Sequence, residues 1–171
     1  MTKRITIINC NIMGYWEGIS IHNATDVSFK SNLVYNNSHG IVVDFGARNT
    51  ILSNNRIAYN AYNGILIGTG NAYDYGSVYN TSLKSNYINN NERGIVISNS
   101  ELVNLANNEI YSNKVSIQLR YIKNFVSFIS DHFYNNWEDL HLGNLNNFNL
   151  NGVVFDNPKG NFKNYTNLSI Y

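Results

Sequence analysis

One cysteine and one proline stand in a chain of 171 residues, and only 13% of the residues are charged. A single cysteine excludes an internal disulfide framework and a cysteine-based zinc cluster. The charges nearly cancel, 12 Lys and Arg against 11 Asp and Glu. No basic surface therefore advertises nucleic acid, and no acidic tail suggests a solvating segment. No apolar run approaches the ~20 residues that a membrane-spanning helix needs. The opening Met1-Thr2-Lys3-Arg4 is basic, but the apolar run behind it, Ile5 to Ile8, is too short for a signal peptide. No stretch sustains a 3.6-residue apolar period either, so helices are not expected.

What the chain has in abundance is asparagine, 34 residues, with 13 tyrosines and 12 glycines. Two phrases recur. One is Gly-Ile-x-Ile-like: Gly18-Ile19-Ser20-Ile21, Gly40-Ile41-Val42-Val43, Gly64-Ile65-Leu66-Ile67 and Gly94-Ile95-Val96-Ile97. The other, Asn-x-apolar-x-x-Asn, precedes it, as in Asn55-Arg56-Ile57-Ala58-Tyr59-Asn60. Taking the apolar residue of the second phrase as an anchor gives Ile12, Val34, Ile57, Ile88, Ile110, Phe133 and Val153, at separations of 22, 23, 31, 22, 23 and 20 residues. Five places before the anchors lie Ile7, Phe29, Leu52, Leu83, Leu105, Phe128 and Phe148; seven places before them most residues are β-branched. Apolar residues spaced by two mark strands, because alternate side chains share a face. Short strands in register at about 22 residues describe an all-β fold, a single-stranded right-handed parallel β-helix of about seven rungs. Two asparagine columns mark its corners. The first is Asn32, Asn55, Asn86, Asn108 and Asn151, with Cys10 and Asp131; the second is Asn37, Asn60, Asn91, Asn113 and Asn136, with Tyr15 and Asp156. Stacked amides can bond from rung to rung.

With those phrases in place, the chain resembles the right-handed parallel β-helix repeat proteins. This pectin-lyase-like superfamily contains pectate lyases, polygalacturonases, alginate epimerases, phage tailspikes and the periplasmic copper-maturation proteins of nitrous oxide reductase. The resemblance spans residues 5–157 and concerns the fold, since one scaffold hosts many functions. The Asn-Thr-Asp and Gly-Asp-Asp motifs of polygalacturonases, the dense acidic calcium site of pectate lyases and the Asp-Pro-His-Asp motif of alginate epimerases are missing. No catalytic residue carries over from those families.

Chemistry is expected on the outward positions of the Gly-Ile-x-Ile strand, where neighbouring rungs stack. His22 and Asp44 should be neighbours there, as should Glu17 and His39 just before the strand, with Arg48 near. A carboxylate beside an imidazole can position it for proton transfer, so Glu17, His22, His39 and Asp44 are the candidate catalytic set. An exposed ion-pair ladder worth under ~1 kcal/mol is the structural alternative. Trp16, Tyr62 and Arg93 flank this set. The long 31-residue interval carries an insertion, residues 68–80, whose Tyr73, Tyr75 and Tyr79 could stack on sugars or fold over the outward stripe Val42, Leu66 and Val96. These six are the candidate substrate-binding residues. His22, His39, His132 and His141 lack the close spacing of a local metal motif, so neither a metal site nor a cofactor is expected.

The organisation expected is one domain over residues 1–171, with rungs over 5–157 and a C-terminal cap over 158–171. Open end rungs suggest a fragment, or an end-to-end partner that covers them. The function expected is an extracellular or cell-surface module that binds polysaccharide without turnover, with no nucleic acid partner and no membrane span. A polysaccharide lyase, hydrolase or epimerase is the alternative, and a spacer in a surface layer or virus fibre is the third.

Overall fold

The computed structural model describes residues 4–68, 76–156 and 162–164. Alternating β-branched and polar residues favour extended chain, and left-handed corner residues turn it, so each rung lays down three short strands. The first strand column holds Ile5–Ile8, Thr25–Lys30, Arg48–Ser53, Val78–Lys84, Ser100–Ala106 and the second half of Val115–Ile129. The second holds Asn11–Met13, Leu33–Tyr35, Arg56–Ala58, Tyr87–Asn89, Glu109–Tyr111, His132–Tyr134 and Val154–Phe155. The third holds Glu17–His22, His39–Asp44, Asn63–Ile67, Arg93–Ser98, the first half of Val115–Ile129, and Glu138–Asn151. Every pairing among the described residues is parallel and joins one rung to the next. A parallel β-helix is the fold, and its rungs step by ~4.8 Å.

The interior is a set of apolar stacks. Val34, Ile57, Ile88, Ile110 and Phe133 fill the second column; Phe29, Leu52, Leu83, Leu105 and Phe128 face them from the first; Ile41, Ile65, Ile95, Ile117 and Leu140 close the third side, and all are buried. Burying a side chain of this size contributes ~1.5–3 kcal/mol. Ile65 pairs squarely with Ile41 and Ile95 although it comes one residue late in the sequence, so the extra residue is absorbed in the corner before the strand.

The corners explain the asparagines. The residue three places before each anchor has positive φ: Asn9, Ser31, Asn54, Ser85, Asn107 and Ser130. A second such series, two places after the anchor, is Gly14, Asn36, Tyr59, Asn90, Ser112 and Asn135. Each left-handed residue is followed by a member of an asparagine column. In the first column the Oδ1 of Asn32, Asn55, Asn86 and Asn108 accepts from the backbone N–H of the preceding rung's member at 2.9–3.0 Å, and from Asn55 onward from its Nδ2 as well. The ladder ends on Asp131, whose Oδ1 accepts both from Asn108 at 2.8 Å. The second ladder runs the same way from Tyr15 through Asn37, Asn60, Asn91 and Asn113 to Asn136, whose Nδ2 donates to Asp139 at 3.2 Å. Where the chain turns into the third column the backbone runs so close that a Cβ on Gly40 would lie 2.4 Å from the Gly64 carbonyl and 2.9 Å from the Asn60 amide.

The last rung departs from the sequence reading. The anchor column continues through Phe155, which pairs with Phe133, and not through Val153. Asn151 therefore leaves the first ladder, Asp156 leaves the second, and Leu150 takes the place expected for Phe148. Two forces set this register: the Phe133 and Phe155 rings stack at 5.0 Å, and Gly152 supplies the left-handed residue three places before the anchor. Of the expected cap, Phe162–Asn164 forms a further parallel strand on Glu138–Asn151 and the rest lies outside the described residues.

Candidate functional site

The third column starts at a corner where residues of successive rungs converge. Glu17 pairs in register with His39, which stands level with Asn63, and Asn63 with Arg93; His22 pairs with Asp44. The expected neighbours are thus on adjacent rungs, and the Glu17 carboxylate acts on the His39 imidazole. Asp44 is only 5% exposed and its Oδ1 accepts the Phe45 N–H at 2.6 Å. His22 instead lays its ring against Phe45, with centroids 4.8 Å apart, and its Nε2 lies 3.8 Å from Glu17 Oε2. The same Glu17 oxygen accepts the Ser20 hydroxyl.

His39 occupies the centre of an aromatic corner. Its ring is 5.7 Å from Trp16 and 5.5 Å from Tyr62, and those two rings are 6.1 Å apart. Asn63 Nδ2 donates to His39 Nδ1 at 3.0 Å. Burial holds the imidazole below the ordinary histidine range; the Glu17 carboxylate opposes this, and the Arg93 guanidinium adds to it. Arg93 also lies 3.7 Å from Glu92, which Lys114 meets at 3.7 Å on the next rung.

Further along the same face lies a groove of about 200 Å³ lined by Asn63, Leu66, Arg93, Val96, Ser98, Gln118 and Arg120. Asn63 Oδ1 and Ser98 Oγ are buried with no hydrogen-bond partner. Two guanidiniums beside the apolar Leu66 and Val96 set this stretch of the third column apart. Arg120 and Ser98 are outward positions in the repeat, yet nothing in their spacing distinguished them from solvated surface.

Other expected residues fall elsewhere. Tyr79 belongs to the first strand column, where Arg48 sits over its ring at 5.8 Å. Tyr79 and Arg48 thus belong to the first column, while the Trp16 corner opens the third. Tyr73 and Tyr75 lie outside the described residues. Val42 and Val96 are buried despite their outward register, so the apolar stripe does not face water there.

A second cluster, on the outer face of the second column, escaped the sequence reading. Tyr111 and Tyr134 stack at 4.7 Å, Tyr134 donates to Glu109 at 3.2 Å, and His132 Nε2 lies 2.6 Å from Asp156. Burial, the Glu109 charge and its hydrogen bond push the Tyr134 hydroxyl up to about 12. Only the corrected register of the last rung brings Asp156 beside His132, so the sequence carried no signal for this pair.

Comparison with known proteins gives a consistent family and fold. The family model described as periplasmic copper-binding protein (NosD) matches residues 2–167. Among curated proteins nothing matches. The periplasmic alginate epimerase AlgG superposes with a TM-score of 0.76 at 19% identity over 86% of this chain and 39% of that one. A single-substitution variant of it gives 0.80 at 19% identity over 89% and 40%. The mannuronan C-5 epimerase AlgE6 A-module of Azotobacter vinelandii gives 0.60 at 15% identity over 88% and 59%. The chain thus spans about two fifths of the AlgG structures it matches, and at these identities the likeness is one of fold.

Proposed function

The chain belongs to the family described as periplasmic copper-binding protein (NosD), and from that premise we propose that it is a periplasmic or cell-surface module that binds polysaccharide without turning it over. One observation carries this reading. The third strand column presents an unbroken line from the Trp16, His39 and Tyr62 corner into the groove flanked by Arg93 and Arg120. Pyranose faces stack on the exposed rings, and the guanidiniums take acidic substituents. Because strands fix these positions, little entropy is lost on binding.

The expected acid–base groups favour binding over catalysis. With Nδ1 accepting from Asn63, neutral His39 carries its proton on Nε2 and acts there as a donor, not a base. Glu17 is engaged by Ser20 and His22. The copper of the family's description does not find a ligand set: among the described residues no three His, Cys, Asp or Glu side chains could hold a metal ion together.

A glycan array and calorimetry test the reading. Wild type should bind at least one polysaccharide, Trp16→Ala with Tyr62→Ala and Arg93→Gln with Arg120→Gln should each weaken binding at least tenfold, and the polymer should come back unchanged. Binding to no glycan would overturn the proposal. So would new reducing ends, unsaturated sugars or altered epimer ratios that vanish in His39→Ala.

A further inference from the structure

Tyr59 stands where no other large side chain does. The same corner position on other rungs holds Gly14, Asn36, Asn90, Ser112 and Asn135, residues that tolerate or favour a left-handed backbone or a tight turn. Tyr59 adopts φ of 55° there, a conformation that crowds its Cβ against the backbone. The residue is 57% exposed, so packing does not repay that strain, and its backbone N–H to the Asn89 carbonyl would be made by any residue but proline. Strain held at a site with no structural return is a mark of function.

The ring faces a cleft of about 470 Å³ at the corner between the second and third columns. Tyr15 and Trp16, 62% and 65% exposed, line it with Tyr59, and Asn36 and Ser38 provide an amide and a hydroxyl. Among the described residues no acidic or basic side chain lines it. Trp16 is braced from the other side by His39 and Tyr62, and Asn37 is fixed in the second ladder, so the walls are preorganised. Flat exposed rings around uncharged amides and hydroxyls fit an uncharged ring with apolar faces and hydroxyl edges.

We propose that the Tyr15, Trp16 and Tyr59 cleft is a second saccharide subsite that takes a neutral pyranose unit. It is contiguous across Trp16 with the face proposed above but separate from its cationic groove. For ligand class it rests on the polysaccharide reading. One polymer crossing Trp16 would place a neutral sugar here and an acidic one against Arg93 and Arg120.

The test titrates the whole chain with neutral hexasaccharides (β-1,4-glucose, β-1,4-mannose, α-1,4-glucose) and acidic ones (mannuronate, galacturonate), read by calorimetry and tryptophan fluorescence. Wild type should bind at least one neutral hexasaccharide. Tyr59→Asn should weaken that binding at least fivefold while Tm rises by about 2–4 °C, because the strain is relieved. Tyr59→Ser, with its own precedent at this corner, should do the same. Unaltered affinity in both Tyr59 variants, or a lower Tm in both, would overturn the subsite. Binding of acidic but of no neutral hexasaccharide would overturn it and leave the strand-face reading standing; binding of neither would sink both.

Discussion

An imidazole that accepts a hydrogen bond at Nδ1 keeps its proton on Nε2, and Asn63 holds His39 in that form. The surroundings reinforce it, since burial and Arg93 disfavour the imidazolium while Glu17 favours it. Removing each charge should therefore move the titration in opposite directions. Arg93→Gln should raise the His39 pKa and Glu17→Gln should lower it, followed by NMR of the imidazole carbon-bound protons; shifts of the same sign would refute this account of the corner. The linkage has a definite sign. Because the folded value lies below the ordinary 6.5, the unfolded chain binds the proton first, and stability falls as pH drops through the window beneath 6.5. Leu102 offers a second residue-level test. It has φ of 55° in a corner column whose other members are Asp26, Asn49 and Asn80, which are linked by Asn80 to Asn49 at 2.8 Å and Asn49 to Asp26 at 2.9 Å. Leu102→Asn relieves the left-handed strain and extends the amide row, so it should raise the unfolding free energy by about 1 kcal/mol in urea titration.

Asparagine ladders are directional elements, and each of the three ends on an aspartate. The two buried ladders donate toward later rungs and finish at Asp131 and Asp139; the exposed row donates toward earlier rungs and finishes at Asp26. A carboxylate only accepts, so it terminates a chain of donors without leaving a donor of its own unmet. The two buried ends differ in how well they are satisfied. Burial pushes both carboxyls up, but Asp131 receives three N–H donors, two from Asn108 and one from Ile129, whereas Asp139 Oδ2 has no hydrogen-bond partner. A raised folded pKa means the native state binds protons more tightly, so Asp139 costs stability as pH rises above the ordinary 3.8. Asp139→Asn should stabilise the fold at pH 7 and flatten its pH dependence between 4 and 7. Asp131→Asn should instead lose about 1–3 kcal/mol, because its amide group would face the Ile129 N–H. Urea midpoints across pH check both, and equal behaviour of the two variants would contradict the ladder account. The columns themselves were legible, since interior stacks of Ile, Val, Leu and Phe leave a regular period in the sequence. What lay beyond the sequence was direction within a column. His22 and Asp44 share a register, yet Asp44 turns to the amide of its own corner. In the last rung Asn151-Gly152-Val153 mimicked the repeat phrase, and only aromatic stacking on Phe133 shows that Phe155 holds the anchor place.

At the scale of the whole molecule, nearly all contacts join one rung to its neighbours, so stability is close to a sum over rungs and their interfaces. The axis should then be extensible by whole rungs and by nothing else. The segment 86–107 contains one member of every column: Asn86, Ile88, Asn91, the Gly94-Ile95-Val96-Ile97 strand, Val103 and Leu105. Asn108 follows in the place of Asn86, and the two are already joined by the ladder bond at 3.0 Å. Inserting a second copy of 86–107 after residue 107 puts a new Asn beneath Asn108 and a new Ile between Ile88 and Ile110. Both ladders and all three apolar stacks then continue unbroken, and the axis lengthens by ~4.8 Å. A copy shortened by one residue in the 100–105 strand turns the side chains beyond the deletion to the opposite face, sending apolar residues outward and polar ones into the core. The full-rung insertion should keep a β-type far-ultraviolet spectrum and a cooperative transition, with an m-value that rises with the added buried surface. The shortened copy should aggregate or lose several kcal/mol of stability. If both insertions were tolerated equally, the columns would be a consequence of the fold and not what sets its register, and the placement of every outward residue, from Trp16 to Arg120, would need another cause.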